Sequence, residues 1–310
     1  MQSDSVYLQR LSWPVWQKHG ITVDVLRLDR LDELISGNKA FKLQPWSPPN
    51  TPQRPLLSFG GAWSNHLHAL AAAGQRWGVS TWGIVRGEPP ATAHAAIQDL
   101  ERMGMQLMFI DRETYRRREE PAFRLSLQAQ IGEFELIPEG GNCPASILAC
   151  QQIWSFIPDQ EKWDVLVCAM GTGATLAGLI SGRGSRKTQL LGISSLKIST
   201  PELEVMVRLA LARAGQSDPG GWQVQPSTLR YGALNGHLAS LFQRSEALGL
   251  PLDPIYTLRA LDGLLHRVLA GELPVGSKVL LLHTGGLQGV RGQRARIECL
   301  SPAFQGPMPL

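Results

Sequence analysis

Short apolar runs alternate with stretches in which apolar residues recur every three or four positions, almost throughout the chain. The run at 56–59 reads as a strand ending in Gly60-Gly61, and 64–76 as an Ala-rich helix. A second strand is expected at 80–85 with a helix near 92–103, and a third at 105–110 with a polar-faced helix over 115–131. Residues 135–137 lead into Glu139-Gly140-Gly141. Strands at 164–170 and 190–194 flank a helix at 176–180, and 278–283 is a late, strongly apolar strand. Strands that alternate with helices predict an α/β fold with mainly parallel sheets.

Proline and glycine mark the breaks. Pro45, Pro48, Pro49, Pro52 and Pro55 fall within eleven residues, a stretch expected to lack regular structure and to cross between domains. The segment 216–225 is rich in Gly, Pro and Asp and is expected to be a loop. No internal repeat is visible.

Composition narrows the class. The 310 residues suffice for two modest domains or one large one, and 43% hydrophobic content can bury a real core. The formal charge is only +4, although the pI is about 9.0. The densest basic run, Arg116-Arg117-Arg118, is followed at once by Glu119-Glu120, the pattern of a solvated helix face, so no nucleic-acid partner is expected. Cys143, Cys150, Cys168 and Cys299 form no C-x-x-C, fit neither a disulfide framework nor a zinc site, and suit a reducing cytosol. Cys168 lies in an apolar run and reads as core. Met1 to Trp16 lacks a basic start followed by an apolar stretch, and no window approaches 18 uncharged apolar residues. Neither a signal peptide nor a membrane helix is expected.

Five segments could carry chemistry. After the strand at 164–170 come Gly171-Thr172-Gly173-Ala174-Thr175 and then a helix. Glycines let successive N–H groups point into one space, and the helix adds its positive end, which makes a phosphate cradle. It is neither a P-loop nor a dinucleotide fingerprint, because no Gly-Lys-Ser/Thr follows and Leu176 stands where the last glycine would be. Alone, it is an ordinary strand–helix turn.

In Gly60-Gly61-Ala62-Trp63-Ser64-Asn65-His66, Ser64 or Asn65 could simply cap the next helix. The same free N–H groups suit a substrate carboxylate. His66 and His68 are two apart on that helix and point to different sides; a metal pair prefers a spacing of four, so no metal is expected there. In Ser36-Gly37-Asn38-Lys39-Ala40-Phe41-Lys42, Lys42 reads as a solvated surface charge. Lys39, in a Gly-Asn turn close to a buried apolar site, would have its pKa lowered by desolvation, so that its neutral amine could attack an aldehyde. His283-Thr284-Gly285-Gly286 and Leu252-Asp253-Pro254-Ile255-Tyr256-Thr257 are, singly, loops with polar residues.

Together these pieces resemble the 1-aminocyclopropane-1-carboxylate deaminase and D-cysteine desulfhydrase family, on the fold shared with the tryptophan synthase β chain. The resemblance runs in order from about Leu26 to Gly292. It rests most on Ser36-Gly37-Asn38-Lys39, Gly60-Gly61 with Ser64-Asn65-His66, Pro138-Glu139-Gly140-Gly141, Asp253-Pro254-Ile255-Tyr256-Thr257 and His283-Thr284-Gly285-Gly286. It implies two three-layer α/β domains with mainly parallel sheets: a larger cofactor domain of 1–47 plus 157–310, and a smaller inserted one of 48–156. The implied cofactor is pyridoxal 5'-phosphate, the implied substrate a small amino acid, and the implied assembly a homodimer in the cytoplasm.

The resemblance also implies roles. Lys39 would carry the cofactor and move the substrate's α-proton. Ser64 and Asn65 would lie at the substrate carboxylate and the cofactor's ring hydroxyl, with His66 beside them. Gly171, Thr172, Gly173, Ala174 and Thr175 would hold the phosphate. Tyr256 would lie near substrate and ring, and Thr284, together with Thr257, would face the pyridine nitrogen. Tyr231-Gly232 is a partial match to a second family tyrosine. Ala174 stands where the family often has a second glycine, and Leu258-Arg259 where it usually has Gly-Lys. Deaminases of the family tend to carry Glu at the position of Thr257 and an apolar residue at that of Thr284. The two threonines therefore favour release of sulfide from D-cysteine over opening of the cyclopropane ring. A non-catalytic protein that merely binds the cofactor is the reading from another class.

Overall fold

A computed structural model describes residues 6–301. Residues 1–5 of the N-terminal stretch read above, and the end of the 157–310 segment, lie outside the described residues. Among the described residues, ten strands form two sheets. They are β1 (Leu8–Arg10), β2 (Thr22–Leu26), β3 (Leu56–Gly61), β4 (Thr81–Arg86), β5 (Met105–Ile110), β6 (Glu135–Leu136), β7 (Val165–Met170), β8 (Gln189–Ser194), β9 (Trp222–Gln225) and β10 (Lys278–Leu282).

The larger sheet has the order β1-β2-β10-β7-β8-β9, and the smaller one the order β5-β4-β3-β6. Among the described residues, only the β1–β2 pair is antiparallel. Every other pair is parallel, as expected where helices return the chain across a sheet face.

Strand alternation builds the layers. In β7, Val165, Val167 and Ala169 pack on one side with Leu261, Leu264 and Phe242 from later helices. Leu166, Cys168 and Met170 pack on the other with Leu176, Leu203 and Ile147. Strands buried on both faces read as unbroken apolar runs, which is why β7 and β10 stand out in the sequence. Cys168 is core, as expected. The smaller sheet repeats the plan: Leu56 and Val85 meet the helix Asn65–Trp77, while Leu57, Phe59 and Ile84 meet Phe123 and Leu127 of the helix Pro121–Ile131. Each such buried Leu, Ile or Phe is worth about 1.5–3 kcal/mol relative to exposure.

Three local expectations are corrected. The helix expected over 115–131 is two helices, Arg112–Arg116 and Pro121–Ile131. Pro121 has no N–H to continue the first helix but suits the first turn of the second. The basic run therefore lies across a turn, where Arg117 pairs with Glu120, Arg118 with Glu139 and Arg124 with Glu119. The loop expected at 216–225 ends in strand β9, which pairs with β8 through Trp222 to Gln225. Within the proline-rich stretch, Gln44–Trp46 still forms one tight helical turn. Among the described residues, no helix is long and apolar enough to cross a membrane.

Candidate active site

The parallel register decides where the loops meet. β7 and β10 are neighbours, so the turns that follow them, Gly171 to Thr175 and His283 to Gly286, emerge at the same edge. That edge, beyond the carboxyl ends of parallel strands, is where open α/β sheets hold ligands.

Two glycine segments interlock there. Gly37, with φ of 62°, caps the helix Asn38–Leu43. A Cβ on Gly37 would lie 2.1 Å from the Thr284 carbonyl oxygen, and one on Gly285 would lie 2.6 Å from Ser36 Oγ. The Asn38 N–H donates to that Thr284 carbonyl at 3.3 Å. Only glycines allow this approach, and it fixes the start of the Lys39 helix against the loop after β10. Beneath it lies a buried polar cluster. Arg27 donates to both oxygens of Asp29 at 2.8 and 2.7 Å. His283 is fully buried, with Nε2 2.6 Å from the Pro251 carbonyl, and its Nδ1 accepts from the Gly285 N–H at 3.2 Å. That pairing makes His283 a neutral ring protonated at Nε2, consistent with a pKa lowered chiefly by burial.

Lys39 Nζ donates to Asn38 Oδ1 at 2.7 Å, and Asn38 Nδ2 donates to Thr175 Oγ1 at 2.8 Å. A continuous chain thus links the lysine to the turn after β7. Burial, reinforced by the charge of Lys42, lowers the Lys39 pKa from 10.5 to about 7. Asp253 partly opposes this. Its own carboxyl is raised to about 6 by burial, against the N–H groups of Tyr256 and Ile255 that it accepts. The folded lysine binds its proton less tightly than the unfolded one. The cost of burying it is therefore full below about pH 7 and relieved as pH rises toward 10.5.

Lys42 corrects an expectation. It is 4% exposed, not a solvated charge; Nζ donates to the Gly140 carbonyl at 2.7 Å, and burial lowers its pKa. It lies three residues after Lys39 on one short helix, the spacing that places side chains on a common face.

The two glycine turns differ. Ser64 caps the helix Asn65–Trp77, its Oγ accepting from the Leu67 N–H at 3.2 Å. At the helix Ala174–Gly182, the cap is Gly173, which has no side chain, and Thr175 is drawn to Asn38. Among the described residues, the N–H groups of Thr172, Gly173, Ala174 and Thr175 have no protein acceptor, and the last three residues are buried. Orphan donors at a buried helix start suit an anion.

Asn65 Oδ1 accepts from Gln288 Nε2 at 2.5 Å, and Gly286 passes so close that a Cβ there would lie 2.4 Å from Asn65 Nδ2. His66 turns inward, Nε2 being 3.0 Å from Ser58 Oγ, while its buried Nδ1 lacks a partner among the described residues. Burial, then Lys39 and Lys42, hold its pKa well below the usual value. His68 faces Asp99 instead, 3.7 Å away, so the two histidines do diverge.

Tyr256 and Tyr231 meet hydroxyl to hydroxyl at 3.0 Å, with Tyr256 beside Gly171. Thr257 Oγ1 accepts from the Asp253 N–H at 2.7 Å, so that hydroxyl is held by its own turn. Thr284 is buried, and among the described residues its hydroxyl makes no hydrogen bond. No site role was expected for Asn38 or Gln288, and Arg259 stood out only as a departure from the family's usual Gly-Lys. Asn38 stood inside a quoted motif, and Arg259 one helical turn after Tyr256. Arg259 donates to Ser227 Oγ and to the carbonyls of Leu229, Arg230 and Ala233, fixing the loop that carries Tyr231. Gln288 gave no signal.

No family model matches the chain. A Thermotoga maritima protein named "Putative 1-aminocyclopropane-1-carboxylate deaminase" is 26% identical over 94% of this chain and 96% of its own. Among solved structures, one titled as an ACC deaminase homologue superposes with a TM-score of 0.81 at 25% identity, covering 96% of this chain and 94% of that one. Threonine deaminase isoform 2 from Solanum lycopersicum shares the fold, with a TM-score of 0.67 at 15% identity over 96% of this chain and 84% of its own.

Proposed function

We propose that this relative of the 1-aminocyclopropane-1-carboxylate deaminases, on the pyridoxal-phosphate fold shared with the tryptophan synthase β chain, converts D-cysteine and water to pyruvate, hydrogen sulfide and ammonia. The cofactor is pyridoxal 5'-phosphate. The observation that carries the assignment is the pairing of a lysine lowered to about pKa 7 with an uncapped glycine turn, joined through Asn38. A reactive amine for an aldehyde and open amides for a phosphate are the two features this cofactor needs. When bound, it withdraws electrons from the substrate's α-carbon; orientation and proton handling belong to the protein.

In this proposal Lys39 holds the cofactor and moves the α-proton at its Nζ. The amides of Thr172 to Thr175, starting beside Gly171, hold the phosphate. Ser64, Asn65 and the start of their helix bind the substrate carboxylate, with Asn65 also at the ring hydroxyl and neutral His66 behind them. Tyr256, steadied by Tyr231, stands over the substrate. Thr284 offers its free hydroxyl to the pyridine nitrogen, while Thr257, whose hydroxyl is engaged by Asp253, supports the turn. The site lies between a unit of 48–156 and one of 1–47 with 157–310. A homodimer in a reducing cytosol completes the proposal.

With the Thr284 hydroxyl and no carboxylate offered to it, the ring nitrogen would stay neutral. That gives weaker electron withdrawal, enough for a thiolate but less suited to a cyclopropane carbon. The names of the relatives favour the second reading, ring opening of 1-aminocyclopropane-1-carboxylate with water to 2-oxobutanoate and ammonia. Purified enzyme supplied with each substrate should release sulfide and pyruvate from D-cysteine and little 2-oxobutanoate from the cyclopropane. The reverse preference overturns the assignment, and no turnover of any small amino acid favours a protein that only binds the cofactor.

A further inference from the structure

Away from these loops, the helices Gly236–Ala247 and Thr257–Leu269 bring three ligand-type side chains together. His237 Nε2 lies 2.6 Å from Asp262 Oδ1, and His266 Nε2 lies 3.8 Å from the same oxygen. All three ligand atoms fall within 4.8 Å of one another. Asp262 and His266 have the spacing of four that puts both on one helix face. His237 comes from the neighbouring helix, and its ring stacks on that of His266 at 5.9 Å between centroids.

We propose that His237, Asp262 and His266 form a binding site for a first-row divalent cation such as Zn²⁺. Around a tetrahedral ion with bonds of about 2.0–2.2 Å, ligand atoms stand roughly 3.3 Å apart. The distances of 2.6 and 3.8 Å bracket that value, so rotating the Asp262 carboxylate evens them. Both imidazoles are partly exposed and Asp262 is mostly covered, with side-chain exposures of 37%, 45% and 14%. Solvent can therefore supply the fourth ligand. Two nitrogens and one carboxylate suit Zn²⁺, Co²⁺ or Ni²⁺ and not Ca²⁺ or Mg²⁺, which prefer oxygen throughout. The ion would clamp two helices that border the Tyr231 loop, which Arg259 secures from Thr257–Leu269. The site stands whether or not the proposed reaction is correct.

The competing account is a plain hydrogen bond between His237 and Asp262. Tag-free, cofactor-loaded protein, stripped with chelator, is titrated with Zn²⁺ by calorimetry and with Co²⁺ by absorbance. Wild type should bind one ion, gain thermal stability, and give a cobalt spectrum of nitrogen and oxygen ligands without thiolate charge transfer. H266Q changes the more exposed histidine, so its fold is the safer test, and D262N is the second variant. Each should bind more than about tenfold more weakly, while C299S, which removes the exposed thiol, should bind as wild type. Affinity unchanged in H266Q and D262N, or lost in C299S, overturns the site. So does a wild type that binds no ion.

Discussion

Two strand-to-helix turns leave amides free at their helix starts, and they differ in how the helix is capped. After β3, Ser64 folds its hydroxyl back on the Leu67 N–H and closes its own helix. After β7, Gly173 offers nothing, and the Thr175 hydroxyl oxygen accepts from Asn38 Nδ2. The first turn uses one amide for its own cap and leaves those of Asn65 and His66 without a protein acceptor among the described residues. The second leaves consecutive amides for an anion and fastens itself to the lysine helix. Two turns that look alike as glycine motifs thus differ in what they can bind, and the difference lies in which side chain caps the helix.

Substituting Gly173 should test the open turn most severely. Its φ is 84°, and a Cβ there would meet only ordinary contacts, the nearest being Met170 at 3.6 Å. The penalty in Gly173→Val is therefore one of backbone conformation, not of crowding by neighbours. A branched residue forces the turn out of the left-handed region at a cost of about 3 kcal/mol, and swings its amides away. Cofactor affinity, read by fluorescence titration, should fall on the order of a hundredfold. Normal binding would show that these amides are not the cradle.

Thr175→Ala should cost less. It strips the acceptor from Asn38 Nδ2, leaving a buried donor unpaired, a loss of about 1–3 kcal/mol in denaturant unfolding. Cofactor binding should weaken with it, because Asn38 also orients Lys39. An unfolding change without any change in cofactor affinity would show that the Asn38 link does not reach the cofactor.

Ser64→Ala should remove a cap, about 1 kcal/mol of stability, leave cofactor affinity unchanged and raise the KM for the amino acid. An unchanged KM would take Ser64 out of the proposed carboxylate site. The threonines make the mildest test. Thr257→Val should lower stability, because the Asp253 N–H loses its acceptor, whereas Thr284→Val should leave stability alone and alter kcat/KM. Equal effects on both would make the pair purely structural.

Much of this was legible in the sequence because it depends on local patterns. β7 and β10 are apolar on both faces and could be read directly, as could the glycine turns after them. β2 and β9 were not read: β2 carries Asp24 among its valines, and β9 is an edge strand of mixed polarity following a run of turn residues. The Lys39 motif was legible, but the fate of Lys42 was not. Its burial depends on the Gly140 carbonyl, 98 residues away. The engagement of Thr257, by contrast, is a contact within one turn and could have been foreseen as an ordinary helix start.

The central claim is that Lys39, and not its buried neighbour Lys42, carries the cofactor through an amine that is neutral near pH 7. Apoprotein is mixed with pyridoxal 5'-phosphate across a pH series, treated with borohydride to make the lysine–cofactor bond permanent, and digested for peptide mapping. The label should sit on Lys39, vanish in Lys39→Ala, and form at a rate that rises through a midpoint of about 7. Label on Lys42, or a midpoint near the ordinary lysine value of about 10.4, would contradict the account.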